Sequence, residues 1–209
     1  MKQFGTPTHP QDLVTLKYLQ DNIIKMIGGG IVVPKNVKLN NLITNGDFSQ
    51  GETNWNVHFK DEGNSFTRSA KLIQNPDGWQ ALYQDLPFNI KKGDIIYASS
   101  IINNYSGIEV TLNNNTFSNL MKHNTTDSNV PIGYSGYYSK ILVSNGGLRR
   151  FGFLFTGGKG EIVFDNFMAI NLTQSFGAGN EPTKEQMDKL INHLGYFEGE
   201  KEVNYYEIL

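Results

Sequence analysis

Hydrophobic residues along the chain fall into four successive patterns. Between residues 10 and 27 they recur at Leu13, Leu16, Leu19, Ile23, Met26 and Ile27. The 3, 4, 3 spacing of Leu16, Leu19, Ile23 and Met26 is the stripe of a short coiled coil. With Asp12 as N-cap and Gly28-Gly29-Gly30 as stop, the pattern predicts a helix within residues 1–30. A helix of this length is marginal alone in water. The stripe therefore needs a partner: further copies of the chain, another protein, or the chain's own β-domain.

Residues 31–40 read as an extended linker in which Pro34 argues against a central strand position. From 41 to 172 the period changes to two. Ile108, Val110 and Leu112 alternate, as do Phe151, Phe153 and Phe155. Ile95, Tyr97, Ser99 and Ile101 take one face of a strand, while Ile96, Ala98, Ser100 and Ile102 take the other, so both faces should be covered. Asn45-Gly46, Pro76-Asp77-Gly78, Lys92-Gly93-Asp94, Asn145-Gly146-Gly147 and Gly157-Gly158 mark turns between these runs. Short strands punctuated this way predict a mainly β, two-sheet sandwich of jelly-roll type.

The last zone, 173–209, holds a predicted amphipathic helix. Thr183 and Gln186 have the spacing of a capping box, Met187, Leu190, Ile191 and Leu194 form one apolar face, and Gly195 is the stop. Burial of those four side chains contributes about 1.5–3 kcal/mol each, so this helix and its tail should pack on the sandwich.

Composition narrows the function. The chain has 209 residues, is 12% aromatic, and carries a net charge of −2 with no cysteine. No basic field exists to hold nucleic acid. No apolar run is long enough to insert in a membrane, and no thiolate chemistry or disulfide framework is available. Residues 1–12 have no apolar stretch of the secretory type, so a protein of this kind that leaves its cell is expected to leave by lysis. His9, His58, His123 and His193 lack ligand spacing. Asp61-Glu62 reads as a solvated loop, and Gly157-Gly158-Lys159-Gly160 as a turn without the helix a phosphate loop needs. No enzyme activity is expected.

Three stretches carry resemblances. Thr6–Leu19 resembles the turn-then-helix segment that precedes trimeric stalks in phage tail-fibre proteins. Asn41–Trp55 (NLITNGDFSQGETNW) is similar to the opening of galactose-binding-like carbohydrate-binding modules. Tyr83-Gln84-Asp85-Leu86, Lys92–Ser99 and Val163–Phe167 match later strands of that pattern. Residues 171–188 (NLTQSFGAGNEPTKEQMD) resemble the phrase closing β-sandwich modules in phage structural proteins. The second family often holds a structural calcium, which would lie here near Asp165. Ser49 stands where an acidic ligand is usual, so no metal or other cofactor is assigned.

Together these imply a virion appendage protein: a tail-fibre, head-fibre or baseplate component that grips host cell-wall polysaccharide without covalent chemistry. The expected partners are the chain itself as a homotrimer, through Leu16, Leu19, Ile23 and Met26, and other virion proteins such as capsid, portal or baseplate. Sugars present apolar C–H faces rimmed by hydroxyls, so aromatic rings beside amides are the candidate contacts. Trp79, Tyr105, Tyr134, Tyr137 and Tyr138 are those candidates. The alternative is a structural or adaptor virion protein that has the same fold and binds no sugar.

Overall fold

The computed structural model describes residues 25–27, 30–58, 61–74, 79–104, 109–113, 128–130, 133–144, 148–156 and 160–208. The chain divides into two compact units, Leu39–Lys201 and a terminal one of Met1–Lys38 with Glu202–Leu209.

In the terminal unit, β1 (Lys25–Ile27) pairs antiparallel with β2 (Gly30–Asn41), Met26 facing Ile31 and Ile27 facing Gly30. The helix expected to reach residue 27 is thus corrected at its end: Met26 lies in a strand. Leu16, Leu19 and Ile23 lie outside the described residues. The correction has a local cause. β-Branched residues crowd this region (Ile23, Ile24, Ile27, Ile31, Val32, Val33), and such residues favour strand over helix. The expected linker 31–40 is likewise strand. Pro34 lies within β2 beyond the pairs Lys25–Val32, Met26–Ile31 and Ile27–Gly30 that the described residues make with β1. The tail after Gly195 also becomes a strand, β13 (Gly199–Ile208), which pairs with β2.

The larger unit is built on two antiparallel sheets. In the first, the described strands run β10 (Ser135–Val143), β7 (Ile95–Asn104), β12 (Gly160–Asn171), β5 (Ala70–Gln74), β4 (Ser65–Phe66). In the second they run β3 (Asn56–His58), β6 (Trp79–Ile90), β11 (Leu148–Thr156), β8 (Glu109–Asn113), β9 (Ser128–Val130). Strands adjacent in space are mostly distant in sequence, as in a jelly roll. The inner faces meet in aromatic contacts: Phe153 of β11 stacks on Phe164 of β12 at 4.2 Å, and Phe151 on Phe167 at 5.7 Å. Trp55 and Phe48 close one end of this core, stacked at 4.9 Å.

Alternation fixes what each face meets. Ile96, Ala98 and Ile102 of β7 enter the core, while Tyr97 and Ser99, also buried, point to the outer face of the first sheet. That face is covered after β12. Asn171 caps α1 (Leu172–Phe176), Gly177 and Gly179 adopt positive φ, and α2 (Lys184–Leu194) follows. Thr183 and Gln186 form a reciprocal capping box at its start. Met187 and Ile191 are buried, while Leu190 and Leu194 are half-buried. Helix α1 packs on β7 and α2 on β10, so both helices belong to the first sheet.

Candidate functional site

The second sheet carries its chemistry on the face turned away from the core. Register places Asn56 opposite Tyr83, His58 opposite Ala81, Tyr83 opposite Gly152 and Ala81 opposite Leu154. Their neighbours Val57, Leu82 and Phe153 fill the core, so these residues share the outer face by period two. Asn56 and Asp85 are exposed, and His58 and Tyr83 are half-buried. Residues directly opposite in an antiparallel pair stand about 5 Å apart at Cβ, so Asn56 borders the Tyr83 ring. Gly152 adds no side chain beside it. A Cβ there would lie 2.0 Å from the Leu82 carbonyl oxygen, so β11 needs glycine at this crossing.

At the β3–β6 edge this face runs into a hollow of about 460 Å³ lined by Asn40, Asn41, Leu42, Thr44, Asn54, Asn56, Gln84, Asp85 and Gly199. Volumes of a few hundred Å³ suit small polar ligands or a few units of a polymer. The lining contains five side-chain amides, one hydroxyl and one carboxylate. Each amide both donates and accepts, which is the complement of a chain of hydroxyls.

Two of those amides are structural. Asn41, buried, accepts from the N–H groups of Ile43 (3.1 Å) and Ala169 (3.0 Å) and donates to the Phe197 carbonyl (2.9 Å). Gln84, also buried, accepts from the Thr44 N–H (3.1 Å) and hydroxyl (3.3 Å) and donates to the Thr44 carbonyl (2.5 Å). Asn54 and Asn56 are exposed and Asn40 half-buried, so they present amides to the hollow. The loop bearing Asn54 is shaped by Asn45. The Asn45 amide donates to the carbonyls of Gly51 (3.0 Å) and Thr53 (2.8 Å) and accepts from Gln50 N–H (2.9 Å), while its own carbonyl receives the Trp55 indole N–H (2.8 Å).

Of the residues singled out from sequence, Tyr134 and Tyr138 share one side of the first sheet and Tyr137 takes the other. Tyr134 and Tyr138 meet edge to face at 5.7 Å and pack against the core, and the Tyr134 hydroxyl donates to the Tyr137 carbonyl. Tyr137 occupies the other face of β10, under α2. Trp79 opens β6 opposite Thr156 and is placed by its backbone alone. Tyr105 lies outside the described residues. Asn54 and Asn56, which line the hollow, and Tyr83 on the adjoining face were not singled out from sequence. The signal was there: Tyr83 and Asp85 alternate out of phase with Leu82.

Under α2 lies a second polar cluster. The Tyr97 hydroxyl donates to Asp188 Oδ1 (2.7 Å) and meets the Tyr137 hydroxyl at 2.5 Å. Ser139 (2.6 Å) and Lys184 Nζ (2.6 Å) also donate to the Asp188 carboxylate. Burial pushes both phenols above the ordinary tyrosine range. Burial raises the Asp188 carboxyl, yet the Lys184, Ser139 and Tyr97 donors outweigh it and hold the group below its usual value. This cluster clamps α2 to the sheet.

Near the opening turn, burial pushes Asp165 up, its bond from the Asn166 N–H (2.7 Å) holds it down, and Asp47 raises it again. Asp47 itself accepts from Ser49 N–H and hydroxyl. Calcium takes six to eight oxygens. Among the described residues, no group of three His, Asp or Glu suited to a metal ion occurs.

No protein-family model matches the chain, and no curated protein sequence does. Solved structures similar to it include the enzymatically active domain of bacteriophage CBA120 tailspike protein 4, at 14% identity and TM-score 0.45 over 62% of this chain. The chain spans 21% of that tailspike chain. TmCBM61 in complex with β-1,4-galactotriose matches at 13% identity and TM-score 0.45, covering 63% of this chain and 98% of that one. The second N-terminal cellulose-binding domain of Cellulomonas fimi β-1,4-glucanase C matches at 12% and 0.43, covering 64% and 95%. At these identities and scores, what this chain binds has to be argued from its own residues.

Proposed function

We propose that this chain is a glycan-recognition module of a phage virion appendage, holding host cell-wall polysaccharide in the amide-lined hollow and along the Tyr83 face. The observation that carries the reading is the amide-lined hollow at the β3–β6 edge. Asn40, Asn54 and Asn56 present side-chain amides to it, and Tyr83 and Asp85 lie on the adjoining outer face of the second sheet. Amides answer sugar hydroxyls, and a ring answers the apolar C–H face.

The virion setting rests on the resemblances of 6–19 and 171–188, with assembly in the host cytoplasm and release by lysis. The mode is non-covalent and needs no metal, so retention should survive chelation by EDTA. Weak single-site binding near millimolar corresponds to about −4 kcal/mol, and display in several copies, a homotrimer included, would raise avidity. A pull-down on purified host cell wall, with a glycan array beside it, tests the reading. Retention that Asn56→Ala and Tyr83→Ala abolish supports it. Absence of retention leaves the adaptor that binds no sugar. Clearing of wall substrate by the purified chain would make it an enzyme instead.

A further inference from the structure

Asn40 and Asn56 are carried by β2 and β3, but Asn54 lies in a loop, so something other than a strand must hold it. Gln84 sits on β6 between outward-facing Tyr83 and Asp85, and its own side chain turns inward and is 4% exposed. A buried amide is tolerated only when it is hydrogen-bonded. All three of the bonds described above go to a single residue, Thr44, through its N–H, hydroxyl and carbonyl. Thr44 precedes Asn45, whose amide gathers Gln50, Gly51 and Thr53 and so sets the course of the chain into Asn54, Trp55 and Asn56.

We propose that Gln84 is a positioning residue of the hollow: it pins Thr44 to β6 and thereby, through Asn45, sets where the Asn54 and Asn56 amides stand, without serving as a ligand contact itself. The proposal rests on reading the hollow as the glycan site. Sequence spacing hides it, because residue 84 acts on residues 54–56 through residues 44 and 45. Only the amide has the required pattern. One end must accept twice and the other must donate, which neither a carboxylate nor an apolar side chain of the same length provides.

The test is Gln84→Glu, compared with the unaltered protein at each pH. Near neutral pH a carboxylate at 84 faces the Thr44 carbonyl with nothing to donate. Burial favours the protonated form, and once protonated on acidification the acid regains the donor. Retention on immobilised host-wall polysaccharide should fall about tenfold or more at neutral pH and return on acidification. Amide exchange across 45–56 should quicken and then recover in parallel. Thr44→Val, which removes one of the three bonds and leaves the backbone pair, covers the case in which Gln84→Glu fails to fold. It should shift the side-chain NMR signals of Asn54 and Asn56 and weaken retention less. Unchanged exchange and unchanged Asn54 and Asn56 signals in both variants would overturn the proposal, as would a retention loss that acid does not reverse. If the unaltered protein is not retained, the glycan reading fails, while the exchange and NMR comparisons still decide whether Gln84 positions the loop.

Discussion

Asn45 is fully buried at a φ of 50°, a conformation asparagine tolerates better than most residues. Replacing it with Ala removes the partners of two carbonyls and one N–H, and about 3 kcal/mol of stability should be lost, read by urea unfolding. The following glycine is needed for a different reason. Gly46 does not have positive φ; a Cβ on it would sit 2.0 Å from the Phe167 carbonyl oxygen. Gly46→Ala should therefore be poorly tolerated although alanine suits its backbone angles. The Asn-Gly pair marked the turn in the sequence, but which of the two residues carries the left-handed angle depends on β12, more than a hundred residues away. The Gly46 N–H donates to the Tyr196 hydroxyl at 2.9 Å, and burial pushes that phenol up to about 12. A folded value above the unfolded one, about 10, means the native state holds its proton longer. The stability is fully present below about pH 10 and is lost as pH rises toward 12. Tyr196→Phe should flatten that alkaline loss while lowering stability near neutrality, as denaturant titrations at both pH values would record.

Among the elements, those with a strict period were legible. β7 and β11 show their alternation openly because one face must be apolar for the sheets to meet, and the Thr183–Gln186 box marks the start of α2 by local chemistry alone. The region around Met26 was misread because spacings of three and four also occur by chance in a β-branched run, and only pairing with Ile31 separates the two cases. Helix α1 was missed for the opposite reason: five residues are too few for any period to show. The Asp188 cluster beneath α2 leads to a prediction at this scale. The Asp188 carboxyl is held below its usual value, so its contribution is fully present above the unfolded value of about 3.9 and disappears as pH falls through the lower folded one. Asp188→Asn should blunt acid destabilisation, and Asp188→Ala should cost about 2 kcal/mol by leaving the Tyr97 and Ser139 hydroxyls without their acceptor. Hydrogen exchange should show the loss concentrated in residues 184–194, with β6 and β11 protected as before.

For the molecule as a whole, the site is assembled from segments that no local pattern connects. Asn40 comes from the end of β2, Asn54 and Asn56 from the opening loop and β3, Asp85 from β6 and Gly199 from the start of β13. Each is an ordinary surface residue in its own stretch, whereas Tyr137 and Tyr138, which the sequence did single out, fold into the first sheet. A site distributed in this way ties ligand binding to the integrity of the larger unit. A ligand that binds only the native arrangement stabilises it by about 2.7 kcal/mol at a hundredfold excess over Kd. Thermal unfolding with increasing wall polysaccharide fragments should therefore rise in midpoint, and the rise should disappear in Asn56→Ala and Tyr83→Ala, with the ligand-free midpoint of Asn56→Ala staying close to the parent's. Asn56 is exposed, so its truncation removes little packing, and any loss of the ligand-dependent rise belongs to binding. Asp188→Ala supplies the contrast: on the proposed reading, which leaves the first sheet's outer face out of ligand contact, it should lower the midpoint with and without ligand by the same amount. A ligand-dependent rise that survives both second-sheet variants and vanishes with Asp188→Ala would move the site to the helix-covered face.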